Sequence, residues 1–187
     1  MKLRAESSWP VAGCQAGVTL IELMITLVVA VVLLAMAVPS FRSITLSSRL
    51  NTAANEVVAA VNAGRVEAIK RNASAQLCSN DASTNGGDTL GTACGTETGA
   101  VYLLIAGAAT KVGTGVAGLQ APIRLKGNLK ALRFGGDGLA VAIGDSKPYA
   151  GQVADICTDA ISTNNHRIVN MTAGSSLSVV TSSGACP

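Results

Sequence analysis

Between Val18 and Val38 the chain reads VTLIELMITLVVAVVLLAMAV, and its one ionisable side chain is Glu22. At about 1.5 Å per residue such a run makes a helix of roughly 30 Å, the thickness of a bilayer's hydrocarbon core. That run bounds everything else. The 187 residues are 49% hydrophobic but only 3% aromatic and 13% charged, so ample apolar surface exists to offset ordering entropy and a disordered chain is excluded. The length beyond the run suits one domain of ordinary size. A net charge of +3 is too small to mark a nucleic-acid polyelectrolyte partner by itself.

The preceding segment, MKLRAESSWPVAGCQAG, carries Lys2 and Arg4 and no apolar run. An ordinary signal peptide is cut after its apolar stretch, next to small residues. Here the small residue, Gly17, comes before the stretch, so cleavage between Gly17 and Val18 leaves the apolar helix on the mature chain. The alternative is an uncleaved signal anchor with its basic end in the cytoplasm. Both readings place the C-terminal portion outside the cytoplasm. A carboxylate as deep as Glu22 costs about 2.5–3.5 kcal/mol on insertion scales and calls for a partner. A terminal ammonium on Val18 would lie one helical turn away. Two chains staggered by about a turn would pair ammonium with carboxylate and relieve both charges. The competing account is a Glu snorkelling from a helix end.

The stretch Gly17-Val18-Thr19-Leu20-Ile21-Glu22-Leu23 resembles the processing motif of type IV pilins and type II secretion pseudopilins. The resemblance implies a prepilin peptidase that cuts after Gly17 and methylates the new N-terminus; Val18 stands where the family usually has Phe or Met. Pro39 is similar to the proline that kinks pilin helices. Gly64-Arg65-Val66-Glu67-Ala68-Ile69-Lys70-Arg71-Asn72, followed by Leu77-Cys78, resembles a signature of the GspH, FimT and FimU group of minor pilins. These motifs cover about residues 13–80.

Between Pro39 and Asn72 apolar residues recur at Leu46, Leu50, Ala53, Val57, Val61 and Ala68. Those spacings predict an amphipathic helix continuing the membrane one. Glu67 and Arg71, four apart, are expected to support its last turn, whereas Arg65 is expected on a solvated face. Asp81 to Gly99, rich in Gly, Thr, Asn and Asp, reads as an extended surface loop. Strands are expected at Val101–Ala106, Ile123–Lys126, Leu129–Phe134, Leu139–Ile143, Gln152–Cys157, His166–Met171 and Leu177–Thr181, separated by turn signals such as Gly127-Asn128. The expected organisation is a leader at 1–17, a transmembrane or filament-core helix at 18–38, an amphipathic helix at 39–72 and a β-rich domain at 73–187. The fold class is therefore α+β, a long N-terminal helix packed on antiparallel sheets, as the resemblance also implies.

Cleavage at Gly17 removes Cys14 and leaves Cys78, Cys94, Cys157 and Cys186, an even set suited to an oxidising compartment. Three pairings are open. Cys78–Cys94 and Cys157–Cys186 are expected, because each closes a contiguous polar stretch and the second pins the C-terminus. A loop of about 15 residues closed this way gains on the order of 3 kcal/mol through the unfolded state. Zinc-like spacing is absent, and no metal or cofactor is expected. No residue pattern points to catalysis: His166, the only histidine, reads as surface or structural, and no serine sits in a Gly-x-Ser-x-Gly elbow.

Arg124, Lys126, Lys130 and Arg133 make a basic cluster without an acid. A hairpin turning at Gly127-Asn128 would bring them together as a weak contact for DNA phosphates or a partner; a solvated sheet edge is the competing account. FimT-like relatives bind DNA through a Gly-Arg-x-Arg motif, and the matching stretch here, Gly174-Ser175-Ser176-Leu177, lacks both arginines. The leading expectation is a structural minor pilin or pseudopilin. It would sit in the bacterial inner membrane with a periplasmic domain, join other pilins in a filament near its tip and help start assembly. A DNA-uptake pilin is the alternative.

Overall fold

The computed structural model describes residues 17–186. It forms two compact units, one ending at Phe41 and one beginning at Arg42, and one helix, α1 (Leu20–Arg71), contributes to both. The start of α1 is fixed by Thr19, whose hydroxyl accepts the backbone N–H of Glu22 at 3.3 Å, the N-cap arrangement that satisfies an orphan donor of the first turn. Its end carries Lys70 and Arg71 against the C-terminal dipole. Asn72 then takes a left-handed conformation (φ 45°), with the Ala73 N–H donating to the Ala68 carbonyl at 3.1 Å. That is a Schellman stop, with Asn in the place glycine usually holds.

In the second unit, Leu50, Ala53, Val57, Val61 and Ala68 of α1 are all buried, as the helical spacing predicts. Small residues on this face let the sheet come close. A Cβ on Gly64 would lie 3.0 Å from the Phe134 ring, so the helix touches the sheet where only hydrogen fits.

The remaining elements are β1 (Ala75–Leu77), a 3₁₀ turn (Ala82–Thr84), α2 (Thr89–Cys94), β2 (Ala100–Ile105), β3 (Ala108–Thr114), β4 (Arg124–Leu125), β5 (Leu132–Phe134), β6 (Ala140–Ala142), β7 (Gly151–Cys157), β8 (His166–Met171) and β9 (Leu177–Ser182). They form a five-stranded sheet, order β3-β2-β1-β5-β6, and a four-stranded sheet, order β4-β7-β8-β9. Every pairing is antiparallel. Leu77, Leu103, Leu132 and Phe134 from the first sheet share one core with Ile156, Val169 and Met171 from the second and with the stripe of α1. The chain is an α+β fold, a long helix on antiparallel sheets.

Several expectations fail locally. The stretch from Asp81 to Gly99 is a packed cap rather than an extended loop. Asp81 and Asp88 cap the 3₁₀ turn and α2 by accepting from Ser83 and Gly91. Asn85 is buried, accepts the Ser79 N–H at 2.8 Å and donates to the Gly95 carbonyl at 3.0 Å. Residues that break regular structure are here the residues that cap it. The strands β1 and β3 were not expected, since Ala-Gln-Leu is too short to alternate and Ala108–Thr114 shows no apolar alternation. The hairpin at Gly127-Asn128 does not exist. β4 pairs with β7 while β5 pairs with β1 and β6 in the other sheet. Between them the Lys126 and Lys130 N–H groups follow β7, donating to Asp155 and Val153 at 2.8 Å each. Burial of Leu129, Ala131 and Leu132 draws this link across the core, which outweighs the local turn signal.

Candidate functional site

Among the described residues the first unit consists mostly of the opening stretch of α1, up to Phe41. From Leu20 to Val38 its described large apolar side chains are exposed, Leu20 at 77% and Met36 at 70%. The helix is long and apolar enough to cross a membrane, with a mean hydropathy of 2.8 over its most apolar window. Gly17 has no atom within 4 Å of where a Cβ would stand, and Val18 is exposed. Glu22 is on the first turn, three residues after the capping Thr19. This Thr-x-x-Glu spacing is that of a capping box. Position 39 continues α1 without a break in the helical backbone. Residues 1–16, which hold Cys14 and most of the expected leader at 1–17, lie outside the described residues.

The second unit holds α1 by polar bolts as well as by packing. Arg167 of β8 is buried, and none of its hydrogen-bond acceptors is a carboxylate. Nε donates to Asn51 Oδ1 at 2.6 Å and Nη2 to Ser47 Oγ at 2.9 Å, both on α1, while Nη1 donates to the Asn164 and His166 carbonyls. Burial draws the guanidinium below its usual range. No expectation above attaches to Arg167. Period-two alternation would have placed it on the inward face with Val169 and Met171. Arg65 is likewise no solvated side chain: its Nη1 donates to the Ser175 carbonyl at 3.3 Å, and Ser175 Oγ accepts the Ala140 N–H at 2.9 Å. Glu67 accepts from Arg71 at 3.0 Å and Lys70 at 3.3 Å, and these bonds lower its pKa.

Cys78 is joined to Cys94, with Cα atoms 5.3 Å apart, and Cys157 to Cys186, 5.7 Å apart. The first ties α2 to the end of β1. The second holds the C-terminal segment over the outer face of the four-stranded sheet. Beneath that segment His166 is buried, donating through Nδ1 to Asp155 at 2.8 Å, with Nε2 left without a hydrogen-bond partner beside Gly184.

The four cations of the basic cluster share no hairpin, since Arg124 is in β4 of one sheet and Arg133 in β5 of the other. Arg124 pairs with Asp159 at 2.8 Å. Arg133 makes a two-pronged bond to Asp88 and also donates to Gln76. Lys130 lies 5.6 Å from the Tyr149 ring centre, and Lys126 is exposed. Arg133 holds the Asp88 carboxyl below the usual range, despite partial burial. At Gly174–Leu177, Ser175 is turned inward and buried. Among the described residues no group of three His, Cys, Asp or Glu is placed to hold a metal ion.

The family described as type II transport protein GspH has a model that matches residues 53–183. A second model, the prokaryotic N-terminal methylation motif, matches residues 13–38. Neither the curated proteins nor the solved structures yield a match.

Proposed function

The chain belongs to the family of type II transport protein GspH and carries the prokaryotic N-terminal methylation motif, and from that premise we propose that it is a minor pilin or pseudopilin that helps start filament assembly. The family is structural rather than enzymatic and serves pilus or type II secretion assembly. One observation carries the reading: α1 buries one face of its second half in the domain, whereas the described large apolar side chains of its first half are exposed. Lipid covers that surface before assembly, and neighbouring helices cover it afterwards.

In this reading prepilin peptidase cuts between Gly17 and Val18, and the freed ammonium of one subunit pairs with Glu22 of a neighbour. The domain stays on the periplasmic side of the inner membrane and enters the filament near its tip. A DNA-receptor role has less support, because Arg124 and Arg133 are engaged with Asp159 and Asp88. The test is to recover sheared filaments from cells making Glu22→Ala. The cleaved chain should remain in the membrane fraction while its share in filaments falls by about tenfold or more. Leaving an ammonium unpaired in an apolar interior costs more than the roughly 1.4 kcal/mol which that factor represents. Normal incorporation of the variant rejects the ion pair. Absence of the unaltered chain from filaments rejects the function.

A further inference from the structure

An edge strand carries a row of unbonded N–H and C=O groups, which proteins blunt with charge, proline, bulges or shortness. Three of the four sheet edges among the described residues are blunted. β3 carries Lys111, held 2.7 Å from Glu97, and its pairing with β2 slips register at Val101/Tyr102. β6 is three residues long, and Pro148 bridges to its Val141. β4 has two residues, with Arg124 in it and Lys126 just beyond. β9 has none of these protections. Its six residues include no charge and no proline, and it pairs with β8 in unbroken register.

The register fixes which groups are open. The Thr172 N–H donates to the Ser176 carbonyl at 2.9 Å, so bonding alternates through the pairs Asn170–Ser178, Ile168–Val180 and His166–Ser182. The opposite flank of β8 has the matching phase, since the Thr158 N–H donates to the Asn165 carbonyl. The N–H and C=O groups of Leu177, Val179 and Thr181 therefore point away from the sheet. Val179 and Val180 project from opposite faces and are 42% and 48% exposed. Valine on both faces suits a strand covered on all sides.

We propose that β9 is an acceptor edge for an extended, uncharged strand from a different pilin-type subunit, which becomes a fifth strand of this sheet. The inference rests on the filament reading above, which supplies side-by-side neighbours. An uncharged occupant follows from the edge itself, since residues 168–187 contain no charged side chain to pair with one. A second copy of this chain is the competing occupant: antiparallel pairing of β9 with itself would close a two-fold pair, and the crosslink below tells the two apart.

The experiment places a photo-crosslinking residue at Val179 in cells making the whole assembly and analyses membranes and sheared filaments separately. The expected adduct contains another chain bearing the N-terminal methylation motif, identified by mass spectrometry. Only a self-adduct, only an adduct with a chain lacking that motif, or no adduct overturns the proposal. In parallel, Val179→Pro removes an outward N–H and spares the β8 ladder. It should enter filaments at least about fivefold less, the factor that one lost hydrogen bond represents. Val179→Thr should enter normally. Equal incorporation of Val179→Pro, or loss with Val179→Thr as well, also overturns the proposal. Both disulfides must form for the proline variant to count; otherwise the crosslink alone decides. If the unaltered chain never enters filaments, the filament reading fails and the membrane crosslink still judges the edge.

Discussion

Asp88 does two jobs through one carboxylate: it caps α2 through the Gly91 N–H at 2.9 Å, and it binds Arg133 through both oxygens. Arg133 is the larger cause of its lowered pKa. Asp88→Asn retains a capping oxygen and removes the charge, so it isolates the ion pair. A carboxyl whose folded pKa lies below its unfolded value adds stability above the unfolded value and loses it as pH falls through the folded one. The variant should therefore melt below the unaltered domain at pH 7. The deficit should correspond to no more than about 1 kcal/mol, because the pair is partly exposed. The two melting temperatures should converge as pH falls below the ordinary Asp value of 3.8. Thermal melts across that range check it, and a deficit that persists in acid would assign the effect to the cap instead.

α1 was legible because two physical demands write themselves into its composition: an unbroken apolar run for lipid, then an apolar residue every three or four for a sheet. The strands from β7 to β9 were legible for the same reason, with alternation and turns in agreement. The path from β4 to β5 was not, because Gly127-Asn128 speaks only of local backbone, while the burial of Leu129 and Ala131 is decided by both sheets together. The cap was hidden for a related reason, since Asn85 in a polar run looks the same whether solvated or buried. Arg167 drew no expectation, although alternation along β8 places it inward with Val169 and Met171. The contact between α1 and β5 yields a sharp case. Ala outranks Gly in a helix by about 1 kcal/mol, so Gly64→Ala would stabilise a free helix. Here the added methyl meets the Phe134 ring at 3.0 Å, and overpacking costs about 1–3 kcal/mol. Denaturant unfolding should show net destabilisation. Phe134→Leu in the same chain should recover part of it, and a stabilised single variant would contradict this contact.

Among the described residues Lys70, Arg71, Lys111, Arg124 and Arg133 each face a carboxylate, which leaves fewer cations to neutralise phosphates. Cleavage after Gly17 would leave 12 basic against 10 acidic side chains. The basic cluster is split, since β4 belongs to one sheet and β5 to the other, with both arginines engaged. Duplex DNA should bind the second unit more weakly than about 10⁻⁴ M at physiological salt. A titration at two salt concentrations tests this. Micromolar binding lost in Lys126→Ala, Lys130→Ala and Arg133→Ala together would restore the DNA-receptor reading.

The course of the chain out of α1 bears on how such a subunit carries load. After the stop at Asn72 the chain enters β1, the middle strand of its sheet, bonded to β2 on one side and β5 on the other. A pull along α1 is thus delivered to the best-held strand rather than to an edge, and β1 must shear against two neighbours at once instead of unzipping from one. If the domain does yield, the bridges spanning 16 and 29 residues hold back about 150 Å of chain at roughly 3.4 Å per residue. A domain pulled along α1 would stretch only as far as these two bridges allow.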